Sequence, residues 1–379
     1  MKKHWELFCR VIDNYGDIAV CWRLAKTLTQ DNQIKVRIWV DDLSTLKALV
    51  PATDRRALKQ QLEGIEVFYW SDPWSDVSIQ PAEVVIETFG CSLPEAYLQR
   101  MQQHRPVWIN LDYFSAEPWV CDFHRMPSKQ ANGLDKFFFY PSVLEQTGGL
   151  MREASLLEQR QSHLAQPESS AWLSHLGLKL SAKPSLKISL FGYSNPQLPA
   201  LLDSWINAHQ PIEVFLPQGQ LHQQIEQCLQ LNLEPGKSVH TNQLTLHSLP
   251  FLPQADFDKL LWHCDLNFVR GEESFVRAQW AAKPFVWHIY PTDDQAHWTK
   301  LDAFFDRYTQ GLATDLKKVI SLFNKAWNQA HHQQLDHQAW LDLIQQLDNW
   351  QQHSQDWVTY LNELGDLTSN LVKFVESKV

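Results

Sequence analysis

The strongest constraint on the fold is the alternation of short apolar segments with longer amphipathic segments along most of the chain. Apolar runs of strand length occur ten times, at Trp5–Val11, Lys35–Val40, Ile65–Trp70, Val84–Thr88, Val107–Leu111, Lys187–Phe191, Ile212–Leu216, Thr245–Leu249, Leu266–Val269 and Phe285–His288. Helical spacing marks several intervening segments, namely Asp17–Leu28, Leu93–Gln103, Pro196–Ala208, Leu221–Leu231 and Phe257–Cys264. Strands separated by helices need crossover connections, so each half of the chain predicts a parallel sheet.

The 379 residues predict two α/β domains followed by a helical tail. Gln159–Pro184 is interrupted by Gln, Ser and Pro, which is typical of an interdomain link, here with one short helix. After Tyr290 the pattern is helical throughout, with candidates at Asp293–Tyr308, Asp315–Ala330, Gln338–Trp350 and Gln355–Val375. Ligands of open parallel sheets bind at the carboxyl ends of the strands, so we expect a site where the two halves face each other.

Composition excludes several classes of function. The chain has 33 Lys and Arg against 43 Asp and Glu, and neither half is basic. This composition argues against sequence-independent binding of nucleic acid phosphates. The six cysteines contain no C-x-x-C pair, and the N-terminal segment lacks the apolar run of a signal peptide. No run of about 18 apolar residues is present to span a membrane. We therefore expect a reduced, cytoplasmic protein that contacts neither nucleic acid nor membrane.

The first candidate site follows the first strand, in the sequence Cys9-Arg-Val-Ile-Asp-Asn-Tyr-Gly-Asp17. Asp13 and Asp17 lie around the carboxyl end of that strand, where a ligand is expected. Asp17 also fits a helix N-cap, and Asn14 and Gly16 are ordinary turn residues. With a single glycine, the segment is neither a Rossmann dinucleotide fingerprint nor a P-loop.

The second candidate site is the segment Leu266-Asn-Phe-Val-Arg-Gly-Glu-Glu-Ser274, where a strand leads into a helix. A helix N-terminus favours phosphate, and Arg270 offers a fork of donors to a diphosphate. Glu272 and Glu273 would repel phosphate unless they face a sugar or base. Alternatively, they only complement the helix dipole, and spacing does not separate the two interpretations.

Two further clusters are weaker. Phe191-Gly-Tyr-Ser-Asn195 ends a strand with two aromatic residues that suit either base stacking or the core. His331, His332 and His337 suggest a metal, but a solvated helix face explains them better.

Two long segments resemble a known family. FCRVIDNYGDIAVCWRLA near the start and FVRGEESFVRAQWAAKPFVWHIYP at 268–291 closely resemble the bacterial protein-arginine rhamnosyltransferases that modify translation elongation factor P. The likeness extends to FGYSN at 191–195, LPFLPQADFDKLLW at 249–262 and the helical tail. The chain departs from the family pattern at Ala19, where Gly is expected, and at Glu273, where Asp is expected.

The resemblance implies a GT-B glycosyltransferase with two Rossmann-like domains facing a cleft and a helical C-terminal tail. It implies an acceptor-binding domain at 1–155, joined by the last helix at about 355–379, and a nucleotide-sugar-binding domain at 156–354. The implied reaction transfers L-rhamnose from dTDP-β-L-rhamnose to one arginine of elongation factor P, inverts the anomeric centre and needs no metal or other cofactor. The modified factor helps ribosomes through polyproline stretches.

The same resemblance assigns site residues. Asp13 matches the catalytic carboxylate, Asp17 its supporting partner and Glu272 an essential glutamate. The substrate and nucleotide-sugar positions are Asn14, Tyr15, Gly16, Phe191, Tyr193, Phe251, Gln254, Arg270, Glu273, Ser274 and Tyr290.

Aromatic residues in this set predict the nucleotide preference. Phe191, Tyr193 and Phe251 offer surface to a thymine, and Gln254 is placed to read its polar edge. We therefore expect dTDP to bind more tightly than UDP.

Two alternative functions stay open at this level. One is a nucleotide-sugar epimerase of similar fold, which uses no protein acceptor. The other is a protein without enzymatic activity that binds and masks elongation factor P.

Overall fold

The protein is represented by a computed structural model, which describes residues 3–12, 15–71, 74, 79–167, 169, 172–178, 180–181 and 183–378. The chain divides into two compact units. Unit 1 contains Met1–Ala154 and Leu361–Val379, and unit 2 contains Ser155–Tyr360. The sequence prediction placed this junction one residue later, after residue 155.

Unit 1 is built on an eight-stranded sheet of order β3-β4-β2-β1-β5-β6-β8-β7. Its strands are β1 (His4–Cys9), β2 (Lys35–Val40), β3 (Lys59–Leu62), β4 (Ile65–Tyr69), β5 (Val84–Thr88), β6 (Val107–Leu111), β7 (Pro127–Lys129) and β8 (Asp135–Phe139). The pairs β3–β4 and β7–β8 at the two edges are antiparallel, and all other pairs are parallel. The carboxyl ends of β1, β2, β5 and β6 therefore lie along the same side of the sheet, which we call its carboxyl edge.

Helices complete unit 1 from both ends of the chain. They are α1 (Gly16–Gln30), α2 (Leu43–Leu49), α3 (Glu95–His104) and α4 (Trp119–Phe123), together with the C-terminal α15 (Leu367–Glu376). The last helix packs on this sheet, since Phe374 contacts the rings of Phe137 and Phe139. The C-terminal segment thus contributes to the N-terminal unit.

Unit 2 has a six-stranded sheet of order β11-β12-β10-β9-β13-β14. Its strands are β9 (Leu186–Leu190), β10 (Ile212–Leu216), β11 (Ser238–Thr241), β12 (Leu244–Ser248), β13 (Leu266–Arg270) and β14 (Phe285–His288). Its helices are α5 (Leu156–Ala165), α6 (Trp172–His175), α7 (Leu198–Ile206), α8 (Gln220–Leu229), α9 (Gln254–His263), α10 (Glu273–Trp280), α11 (Ala296–Tyr308), α12 (Thr314–Trp327) and α13 (His337–Gln345). Only β11 pairs antiparallel within this sheet, as far as the described residues extend.

Two sequence predictions about helices were wrong. The expected link at Gln159–Pro184 lies in unit 2 and carries parts of two helices, α5 and α6. The tail does not break between residues 350 and 355, because α14 (Leu347–Leu364) runs through that point and crosses the boundary between the units. It ends at Leu364 and is followed by Gly365, whose φ of +78° favours glycine. Asp366 then caps α15 by accepting a hydrogen bond from the backbone N–H of Ser369.

The tryptophans belong mainly to the cores. Of the 17, only Trp119 is exposed, with 39% of its surface accessible, and the others are buried or half-buried. Trp39 packs against Phe8 and Phe68 in unit 1, and Trp327 packs against Phe268 in unit 2. No described helix is both long enough and apolar enough to cross a membrane.

Candidate functional site

At the carboxyl edge of the unit 1 sheet, Asp17 is buried and held by two donors. One carboxylate oxygen accepts a hydrogen bond of 2.8 Å from the backbone N–H of Ile12, and the other accepts one of 3.2 Å from the hydroxyl of Tyr113. Only 3% of the surface of Asp17 is exposed. A carboxylate fixed in this way has a defined orientation at the edge where ligands of such sheets bind.

The interpretation of Asp17 as a helix N-cap was wrong. Asp17 is the second residue of α1, the N-cap position belongs to Tyr15, and the carboxylate accepts from Ile12 and Tyr113, which both lie outside this helix. The side chain is therefore directed to the loop after β1 and to Tyr113.

Tyr113 is a residue that the sequence interpretation missed. It follows β6, and its ring stacks on Phe89, which follows β5, with 4.2 Å between the centroids and 11° between the planes. Phe89 has a φ of +55°, an uncommon conformation for a bulky side chain. The rule that selected Asp17, namely position after a predicted strand of the parallel sheet, selects Tyr113 as well.

The other candidates of this segment are placed as follows. Tyr15 is 40% exposed, and Gly16 is the first residue of α1. Asp13 and Asn14 lie outside the described residues, so their predicted roles stay predictions.

In unit 2, the predicted nucleotide residues gather around Arg270, the last residue of β13. Its guanidinium carbon lies 4.5 Å from the ring centre of Phe191 and 4.9 Å from that of Tyr193. Both distances fit cation–π contact. Tyr193 also meets Tyr290 edge to face, with 5.6 Å between the ring centres. Arg270 thus covers one face of the Phe191 ring and one face of the Tyr193 ring. This differs from the expectation that both rings are available to stack on a base.

The turn from β13 into α10 is closed by local bonds. Gly271 has a φ of +56°, which favours glycine, and its carbonyl accepts a bond of 2.7 Å from the indole N–H of Trp287. The Ser274 hydroxyl donates to the carbonyl of Arg270 at 2.6 Å and accepts from its N–H at 2.9 Å. These contacts fix Arg270 beside the N-terminus of α10, where the helix dipole favours an anion.

Glu272 occupies the N-cap position of α10, but its side chain does not cap the helix. Glu273 is the first helical residue, and its carboxylate accepts a hydrogen bond of 3.4 Å from the side-chain amide of Gln254. Gln254 in turn begins α9, so the first turns of α9 and α10 are in contact at the carboxyl edge of the sheet.

Phe251 and Tyr290 are the exposed aromatic residues of this set, each at 46% of its surface. Phe251 lies between β12 and α9, and Tyr290 follows β14. Arg270 lies over Phe191 and Tyr193, so Phe251 and Tyr290 provide the solvent-accessible aromatic surface of this group.

Beneath these residues lies His288, the last residue of β14. Its ring contacts that of Tyr193 with 5.2 Å between centroids. Burial, reinforced by the nearby charge of Arg270, lowers the pKa of His288 to about 3. The imidazole is therefore neutral at pH 7, and Arg270 carries the positive charge next to it.

The sequence interpretation also overlooked one D-x-D spacing, at Asp256-Phe-Asp258, which is typical of metal-dependent sugar transferases. Asp256 forms an ion pair of 2.8 Å with Lys259, and Asp258 forms one of 2.7 Å with Arg277. Among the described residues, no group of three or more His, Cys, Asp or Glu side chains has a metal-binding arrangement. The D-x-D pair is thus engaged with cations of the protein.

Comparison with known proteins identifies relatives across the whole chain. The family model described as elongation factor P (EF-P) rhamnosyltransferase EarP matches residues 5–376. A protein-arginine rhamnosyltransferase of Pseudomonas putida is 43% identical over 383 residues, covering 100% of both chains.

One solved structure agrees with this match, and a second, more distant one shows the same fold. A structure described as the basis for EarP-mediated arginine glycosylation of EF-P has a TM-score of 0.70 and 34% identity, covering 99% of each chain. The spinosyn rhamnosyltransferase SpnG has a TM-score of 0.54 at 11% identity and covers 98% of this chain and 100% of its own. The prediction of an α/β chain with the GT-B fold is confirmed.

Proposed function

Because the chain belongs to the EarP family of EF-P rhamnosyltransferases, we propose that it transfers L-rhamnose from dTDP-β-L-rhamnose to one arginine side chain of elongation factor P, with inversion at the anomeric carbon. The observation that carries the proposal is the fixed, buried carboxylate of Asp17 at the carboxyl edge of the unit 1 sheet. A cationic acceptor needs such a group.

The acceptor chemistry explains why carboxylates are needed. An arginine side chain has a pKa above about 12, so its guanidinium is cationic and a poor nucleophile. Asp17 binds and orients the guanidinium, and Asp13, four residues earlier in the sequence, accepts the proton as the new C–N bond forms. The bond from the anomeric carbon to the dTDP oxygen breaks as that C–N bond forms.

The donor chemistry calls for charged groups of the protein that stabilise the reacting sugar and bind the departing nucleotide. Displacement at the anomeric carbon develops oxocarbenium character, which a carboxylate such as that of Glu272 stabilises. The departing dTDP is an anion, and Arg270 beside the N-terminus of α10 is placed to bind its diphosphate together with Ser274 and Tyr290. In this proposal these groups take the part that a metal ion plays in other sugar transferases.

The base is recognised by the exposed ring of Phe251 and by Gln254, with Glu273 beside it. We expect the thymine methyl and the absence of a 2′-hydroxyl to favour dTDP over UDP by about 1–3 kcal/mol. The biological role that follows is support of translation through polyproline stretches in the cytoplasm, where elongation factor P acts.

One assay tests the proposal against both alternatives. Purified protein is incubated with dTDP-β-L-rhamnose and elongation factor P, and the intact mass of the factor is measured. A gain of one deoxyhexose, lost when the acceptor arginine is changed to Lys, supports the transfer. Turnover of the nucleotide sugar without a gain in mass would favour an epimerase, and complex formation without turnover would favour a masking protein.

The proposed independence from metal has a separate test. Activity should survive EDTA, because Arg270 and the helix N-terminus hold the leaving group. Loss of activity that Mg²⁺ or Mn²⁺ restores would contradict this part of the mechanism while leaving the transfer itself intact.

A further inference from the structure

We propose that the buried ion pair Asp258–Arg277 positions the first turns of α9 and α10 against each other and thereby sets the preference of this site for one nucleotide over another. The inference rests on the proposed function, since it assumes that these two helix ends receive the nucleotide of the donor. It concerns two residues that contribute through their neighbours rather than by touching substrate.

The pair is a two-point contact in the interior of unit 2. The Nε of Arg277 donates to one oxygen of Asp258 at 2.8 Å, and Nη2 donates to the other at 2.7 Å. The side chains are only 1% and 6% exposed. A guanidinium fork on a carboxylate fixes distance and rotation together, which a single hydrogen bond does not.

The position of the pair connects it to the site. Asp258 lies four residues after Gln254 in α9, and Arg277 lies four residues after Glu273 in α10. Residues four apart share one face of a helix, so the ion pair is one turn behind the contact between Gln254 and Glu273. The buried contact therefore controls how far apart, and at what rotation, those two polar side chains are presented.

Stability alone is a poor explanation for this pair. Desolvation of two buried charges offsets much of their attraction, and well-packed apolar residues often replace such a pair without loss of stability. The fixed geometry is the property that apolar replacements do not reproduce. We therefore expect its removal to change recognition more than folding.

The nucleotide residues are divided between the two helix ends. Gln254 and nearby Phe251 are at the start of α9, whereas Glu273, Ser274 and neighbouring Arg270 are at the start of α10. A shift of one helix against the other changes the contacts to the nucleoside and leaves Arg270, anchored by its own turn, able to bind the diphosphate. The ratio of dTDP to UDP affinity is thus the quantity that reports the position of α9 relative to α10.

The experiment measures the binding of dTDP and UDP by titration calorimetry, together with the thermal unfolding midpoint, in the full-length protein. Asp258→Asn removes the charge with little change in shape. The double variant Asp258→Leu with Arg277→Met replaces the pair by apolar side chains, so that no unpaired charge is left buried. The matched control is Asp256→Asn, the same change on the same helix in a partly exposed pair with Lys259, which does not bridge to α10.

We expect the ratio of dTDP to UDP association constants to fall at least about threefold in Asp258→Asn and in the double variant, because a small displacement of contacting groups weakens recognition severalfold or more. The control should keep the wild-type ratio. An unchanged ratio in the folded double variant would overturn the inference, as would an equal loss for both nucleotides.

The wild type separates this inference from the proposed function. Wild-type protein that binds neither nucleotide, or binds both equally, would contradict the proposed donor recognition. Wild-type preference for dTDP that persists in the double variant would contradict only the role of the ion pair.

Discussion

The carboxyl edges of the two sheets are built alike but present different charged groups, with Glu272 and Glu273 shortly after the arginine of the second. In unit 1 the residues at this edge include Asp17, bonded by Ile12 and Tyr113. In unit 2 the corresponding edge presents Arg270 against two aromatic rings and beside a helix N-terminus. The parallel strand order determines where a site forms, and the residues of the loops determine its chemistry.

This difference suits a reaction between a cationic acceptor and an anionic donor. In the proposed function, the carboxylate of Asp17 orients a guanidinium at the first edge, and Arg270 binds a diphosphate at the second. A substitution at one carboxyl edge should therefore impair one substrate's contacts and leave those of the other intact. Measurements of nucleotide binding and of turnover should distinguish the two effects.

The largest effect is expected from Asp17→Asn. Turnover should fall by about a thousandfold or more, since the acceptor loses the charge that orients it and the geometry of the reacting atoms is disturbed. The affinity for dTDP should stay at the wild-type value, because the change is in unit 1. Asp31→Asn, at the other end of α1, is the control. Near-normal turnover in Asp17→Asn would contradict the assignment of the acceptor side.

The next effect is expected on the donor side from Arg270→Ala. The affinities for dTDP and UDP should both fall by about 1.5–3 kcal/mol, because the diphosphate common to them loses a charged hydrogen-bond partner. Calorimetric titration of both nucleotides measures the change. Arg307→Ala, which removes a guanidinium stacked on Tyr360 elsewhere in unit 2, serves as the control. A loss confined to dTDP would mean that Arg270 contacts the nucleoside.

Both units contain a buried histidine of lowered pKa, so in this respect they are alike although the residues at their carboxyl edges differ. Burial, next to the charge of Arg125 for His124 and of Arg270 for His288, lowers the pKa of each to about 3. Below pH 6.5 these histidines are protonated in the unfolded chain but stay neutral in the folded protein. The free energy of unfolding therefore falls as the pH drops from 6.5 towards 3.

The loss between pH 6.5 and 5.5 should be about 1 kcal/mol for each histidine. Denaturant unfolding across this range measures it. His124→Asn and His288→Asn should each make the dependence on pH shallower. A slope that neither variant changes would show that other groups control the acid transition.

The smallest effect is expected from Tyr113→Phe, which keeps the ring stacked on Phe89 and removes only the hydroxyl bonded to Asp17. Turnover should fall about threefold to fivefold, the effect of one hydrogen bond. The KM for the donor should not change. Tyr140→Phe in the same unit is the matched deletion outside the site. An altered donor KM in Tyr113→Phe would show that the residue acts beyond Asp17.

Most of the fold was predictable because its central strands are apolar and separated by helices. The predicted bounds of β2, β5, β6, β10 and β14 match those in the structure. The four strands that the sequence interpretation missed, β3, β7, β8 and β11, are all at or next to the antiparallel edges of the sheets. Edge strands are short and partly exposed, so their apolar pattern is weak.

The sequence by itself determined the parallel central strands of the two sheets, the loops in which the site residues occur and, through two long motifs, the family. These follow from local patterns, since a strand, a turn and a helix start are each encoded within a few residues. Only the tertiary structure decided that Tyr113 bonds to Asp17, that Arg270 lies over Phe191 and Tyr193, and that Asp258 pairs with Arg277. Each of these contacts joins residues on different elements, and their geometry depends on how those elements pack, which no local pattern encodes.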